Sequence, residues 1–132
     1  MMKSLLILLG AYYGIAGLYM LFAPGHFYNT VPGVSLTGPL NHHFAADIAF
    51  AMLASALLFL WSVRSGIAEL AVGAAIWPVL HALMHIGEGF GHAAMPPQML
   101  AADLAATVPP ALLACIAAGS MLFRFGQTQG RG

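Results

Sequence analysis

The chain has 132 residues, 61% of them hydrophobic and 6% charged, with a mean hydropathy of +0.87. A soluble domain carries about 25% charged residues, so this composition excludes an ordinary soluble fold and a disordered chain and leaves a multi-span membrane protein. Four Lys/Arg balance four Asp/Glu without a basic run, which excludes nucleic-acid binding through clustered cations, and the lone Cys115 excludes a disulfide framework and a thiolate metal motif.

The length suits one small domain of four helices, each near the ~20 residues that cross a ~30 Å hydrocarbon core. The first span is predicted over residues 4–23, between Lys3 and the breaker Pro24-Gly25. Its apolar run exceeds the ~7–15 residues of a signal-peptide core, and Ala23-Pro24 is a poor cleavage context, so a retained helix is the better reading. Gly10, Gly14 and Gly17 at helical spacing suit close helix packing. Residues 24–41 are rich in turn formers yet apolar between them (Phe27, Tyr28, Val31, Val34, Leu36, Leu40). A long connection of that kind is expected to fold as a lid over one mouth of the bundle.

Asn41 is the predicted N-cap of the second span, residues 43–63. Arg64-Ser65-Gly66 then makes a tight hairpin into the third span, residues 67–87, which fades into a glycine-rich stretch. The fourth span, residues 98–123, follows Pro96-Pro97 and carries small residues at Ala102, Ala105 and Ala106. Residues 124–132 read as a polar tail. Pro78 in the third span and Pro109-Pro110 in the fourth predict kinks, since each removes a backbone donor and crowds the preceding turn. The expected fold is therefore an all-α, four-helix transmembrane bundle with one long outer connection.

Lys3, Arg64, Arg124 and Arg131 fall on one side of such a bundle, which predicts both termini in the cytoplasm. All six histidines, with Asp47, Glu88 and Asp103, fall in the opposite half; Glu69 alone lies on the inner side, near Arg64. His26, His42 and His92 read as solvated groups at helix ends. The remaining groups form stripes. His43 and Asp47 are four apart on span two; His81, His85 and Glu88 are spaced four and three on span three; Asp103 and Thr107 share a face of span four. By depth, these groups sit at similar levels, with Tyr19 of span one nearby.

An aspartate in hydrocarbon costs about 2.5–3.5 kcal/mol at mid-helix, so these groups are expected to face inward and find partners. A metal ion is one way to hold neutral imidazoles and ionised carboxylates together. The expected ligands are His43, Asp47, His81, His85, Glu88 and Asp103, with Tyr19, Asn41 and Thr107 as supporting hydrogen-bond partners. The donor set suits Zn²⁺, Fe²⁺ or Mn²⁺ better than a bis-histidine haem. An enzymatic version uses metal-activated water or oxygen on a lipophilic small molecule entering from the membrane lipid, with Glu88 or Asp103 as general base. Two alternatives stand beside it. One is a metal-free His/Asp/Glu relay in a small transporter or proton conduit, for which four spans require a homo-oligomer; the other is a structural or accessory subunit.

Several segments resemble small bacterial four-span membrane proteins of DoxX-like size and layout: Val31-Pro32-Gly33-Val34; Thr37-Gly38-Pro39-Leu40-Asn41-His42-His43-Phe44 with Asp47-Ile48; His81-Ala82-Leu83-Met84-His85 with Glu88; and Asp103-Leu104. The resemblance implies the bacterial inner membrane, with the polar site toward the periplasm, and carries no activity with it.

Overall fold

The computed structural model describes residues 2–91 and 96–129. Among the described residues the architecture is all-helical: α1 (Met2–Phe22), α2 (Pro24–Thr30), a 3-10 turn (Val34–Leu36), α3 (His42–Ser65), α4 (Ala68–Gly91) and α5 (Pro97–Gln129). Four of these, α1, α3, α4 and α5, are long and apolar enough to cross a membrane. The chain is thus a multi-pass membrane protein by its architecture. Large apolar side chains left outside the bundle, such as Ile15, Leu57, Leu80 and Ile116, are what a helix presents to lipid.

The helix ends have local causes. Asn41 caps α3, its side-chain oxygen accepting from the Phe44 N–H at 3.1 Å. Gly66 closes α3 in the left-handed region at φ 74°, its N–H donating to the Ser62 carbonyl at 2.8 Å. The Ser62 hydroxyl then donates to the Ile67 carbonyl, so the α3–α4 hairpin ends with its polar groups paired.

Residues 24–41, expected to fold as a lid over one mouth of the bundle, begin with a regular element. Pro24 starts a short helix, α2, and the side chains of Asn29 and Thr30 donate back to the carbonyls of Gly25 and His26. Tyr28 donates to the carbonyl of Gly38 at 2.8 Å and draws the following turn against α2. The segment packs on α1 and on itself. At its other end the chain continues as helix through residues 124–129, where the sequence suggests a tail.

Two seams hold the bundle, and a smaller α3–α4 contact joins them. In the first, α1 lies on α3, with Gly10 and Gly17 buried against Ala56, Leu60, Ala49 and Leu53. The absence of a Cβ lets the two backbones approach. In the second, α4 lies on α5, and what these two helices bury in the shared core is mostly alanine: Ala71, Ala74 and Ala75 from α4, and Ala114, Ala117 and Ala118 from α5. The small residues expected to pack α5, Ala102, Ala105 and Ala106, instead lie exposed. The buried positions of α5 begin at Ala111, beyond the Pro109-Pro110 pair. The core between the seams is Leu6, Leu9, Tyr13 and Phe59.

Candidate functional site

The polar site lies in the half of the bundle that carries α2. Its centre is a chain of three side chains from α4 and α5. The His85 Nδ1–H donates to the Asp103 carboxylate at 2.7 Å, and both side chains are 16% exposed. The Nε2 atoms of His85 and His81 are 3.2 Å apart. One set of protons satisfies all three groups: Asp103 accepts, His85 donates from Nδ1 and accepts at Nε2, and His81 donates from Nε2. Helical spacing aligns the two imidazoles, and Asp103 reaches them across the α4–α5 interface.

The next turn inward on α4 brings Trp77. Its indole stacks on the His81 ring at a centroid distance of 4.6 Å and an interplanar angle of 17°. Trp77 meets Tyr13 of α1 edge-on at 6.2 Å, and Tyr13 stacks on Phe59 of α3. Three helices thus contribute an aromatic layer beneath the polar chain. Among the described residues, the buried polar side chains elsewhere are Ser55 and Ser62, neither able to carry a charge.

The other predicted site residues are placed differently. Asp47 does not join His85 and Asp103. Its carboxylate lies 3.6 Å from His43 Nε2, the two side chains being 59% and 89% exposed. Glu88 is exposed and has interactions of its own near the end of α4. The Tyr19 hydroxyl bonds to the His26 ring nitrogen and to Thr30 at 2.8 Å, so it fastens α2 to α1 rather than serving the His81–His85 chain. Asn41 acts as a helix cap. Thr107 does stand beside Asp103, but it donates to the main-chain carbonyl, at 3.0 Å, and not to the carboxylate. His92 lies outside the described residues, as does Arg131. Among the described residues, no group of three or more His, Cys, Asp or Glu is arranged as a complete metal-ligand set.

Two contributors escape the sequence reading. Trp77 is four residues before His81 and extends the same stripe, a signal present in the spacing. Tyr12 has no such signal. Its hydroxyl donates to the Ala106 carbonyl of α5 at 2.6 Å. That carbonyl would pair with the N–H of residue 110, and residue 110 is proline. A tyrosine from another helix therefore satisfies the acceptor that the proline strands.

Comparison with protein-family models, curated proteins and solved structures finds no match for this chain.

Proposed function

We propose that this membrane protein binds a divalent transition-metal ion between His81 and His85, at a site near its outer face that is open to a lipophilic ligand. The observation that carries this reading is the 3.2 Å separation of the two Nε2 atoms. Two imidazole nitrogens each ~2.0–2.1 Å from a tetrahedral Zn²⁺ stand roughly 3.3 Å apart, so the pair already has the bite of a bidentate site. Binding asks His81 to shift its proton from Nε2 to Nδ1 and nothing of His85, whose Nδ1–H is held by Asp103. A carboxylate on the far nitrogen of a ligating histidine fixes its tautomer and raises its basicity. Asp103 is therefore better suited to orienting His85 than to acting as a general base. Two protein donors leave coordination positions for water and for an exogenous ligand, which suits binding or turnover more than a structural ion.

The aromatic layer of Trp77, Tyr13 and Phe59 supports a blind site over a conduit. Proton transfer across a membrane needs acceptors through its full depth. Below Trp77 the buried side chains include Leu6, Ala71, Ala74 and Ala117, and the Ser62 hydroxyl there is engaged by the Ile67 carbonyl. The orientation is read from the cations: Lys3 and Arg64 lie at the opposite end, which under the positive-inside rule suits the cytoplasmic side of a bacterial inner membrane.

Elemental analysis of protein purified in detergent and equilibrated with Zn²⁺, Fe²⁺ or Mn²⁺ tests the reading. The wild-type protein is expected to retain stoichiometric metal after gel filtration and His81→Ala to retain none. His43→Ala should match wild type, because its pair with Asp47 stands apart. Wild-type protein that emerges metal-free, or metal lost equally in His43→Ala, overturns the assignment in favour of the metal-free hydrogen-bonded chain.

A further inference from the structure

The half of α5 that bears Asp103 lies beyond a hinge. Pro109 and Pro110 remove the backbone donors for the carbonyls of Ala105 and Ala106, so the helix loses two consecutive rungs at this level. On the far side, Ala111, Ala114, Ala117 and Ala118 lock the helix into the core. On the near side, residues 97–110 include no buried position. Contacts to α4 and α1 hold that segment. Leu100 meets α4 so closely at Gly89 that a Cβ there would lie 2.9 Å from its side chain. Asp103 bonds to His85. Between these contacts and the hinge, the Tyr12 hydroxyl bonds to Ala106.

Tyr12 is presented from a rigid base. Its neighbour Tyr13 is buried, stacked on Phe59 and set edge-on against Trp77, so this turn of α1 is fixed at the level of the aromatic layer. The Ala106 carbonyl is the acceptor one turn beyond Asp103, and the Thr107 hydroxyl bonds to the Asp103 carbonyl within the same turn. Restraining Ala106 therefore restrains the turn that aims the Asp103 carboxylate.

We infer that Tyr12 is a positioning residue for the polar site: its hydrogen bond to the proline-freed carbonyl of Ala106 latches the hinged half of α5 so that Asp103 stays on His85. The latch serves the metal reading but does not depend on it, because the Asp103–His85 bond is measurable without metal.

The experiment follows the His85 ring N–H in protein labelled with ¹⁵N-histidine, in lipid nanodiscs. In the wild-type protein this proton is expected downfield and slow to exchange with solvent. Tyr12→Phe keeps the ring and removes the donor, and should accelerate its exchange about tenfold, the scale of one hydrogen bond, while global unfolding shifts much less. Pro110→Ala restores a backbone N–H that pairs with Ala106 inside the helix. In that background Tyr12→Phe should be silent, a non-additivity that a merely structural tyrosine does not produce. Unchanged exchange in Tyr12→Phe, or an equal acceleration with and without Pro110, overturns the latch. A metal-free wild-type protein in the elemental analysis overturns the metal reading and leaves this test standing.

Discussion

Asp103→Asn is expected to weaken metal binding about 10- to 100-fold, the usual effect of losing the carboxylate behind a ligating histidine, while the fold survives. Asparagine keeps the size of the side chain and one acceptor for the His85 Nδ1–H, so geometry is largely retained and charge is lost. Titration of the purified variant with Zn²⁺ against a chromophoric chelator measures the difference. Unchanged affinity would remove Asp103 from the site. A companion measurement separates function from architecture. Asp103→Leu alone strands His85, a half-buried polar group without its partner, and should lower stability by about 1–3 kcal/mol. The triple variant His81→Leu, His85→Leu and Asp103→Leu removes all three bonded groups and should recover that loss, as replacement of buried polar networks by apolar residues often does. Polar groups retained at a net cost to stability point to a role beyond stabilising the fold.

The second large effect is expected at Gly17. A Cβ there would lie 3.0 Å from the main-chain oxygen of Ala49 and equally close to Leu53. The backbone atom cannot rotate away, so α1 has to lift from α3. Gly17→Ala should cost about 1–3 kcal/mol and Gly17→Leu more, read as a shift in unfolding on titration with a denaturing detergent. Gly14→Ala is the internal comparison. Its added methyl would meet Ala56 Cβ at an ordinary 3.7 Å, and its unfolding should match wild type. Helix propensity favours alanine at both positions, so equal losses at the two glycines would mean that the close approach at Gly17 does not set the outcome.

Much of this architecture is legible in the sequence because the bilayer imposes a simple rule: ~20 apolar residues, then a break. Lys3, Pro24-Gly25, Arg64-Ser65-Gly66 and Pro96-Pro97 supply the breaks, and the helices start and stop near them. Within one helix, spacing also carries the site: His81 and His85 are four apart and their rings meet. Between helices, counting residues gives depth but not rotation about the axis. Asp103 has the right depth and the right face and joins His85, whereas Asp47 has a matching depth and turns to His43 instead. Ala102, Ala105 and Ala106 fail as packing residues for the same reason, since small side chains mark a face without saying which one meets a neighbour. Tyr12 was out of reach altogether, because its partner is a carbonyl set free by a proline 98 positions along the chain, and side-chain patterns do not report backbone acceptors.

The alanine seam between α4 and α5 offers little resistance to sliding along the helix axes, because methyl groups make shallow ridges that barely interdigitate. Bulkier side chains would notch one helix against the other at a single height. Outside the seam, Leu100 seated at Gly89 and the bond between the His85 imidazole and the Asp103 carboxylate act as pegs, since a displacement of one turn, ~5.4 Å, would undo both. The same two atoms that prepare the site thus also help set the vertical alignment of the helices that carry it.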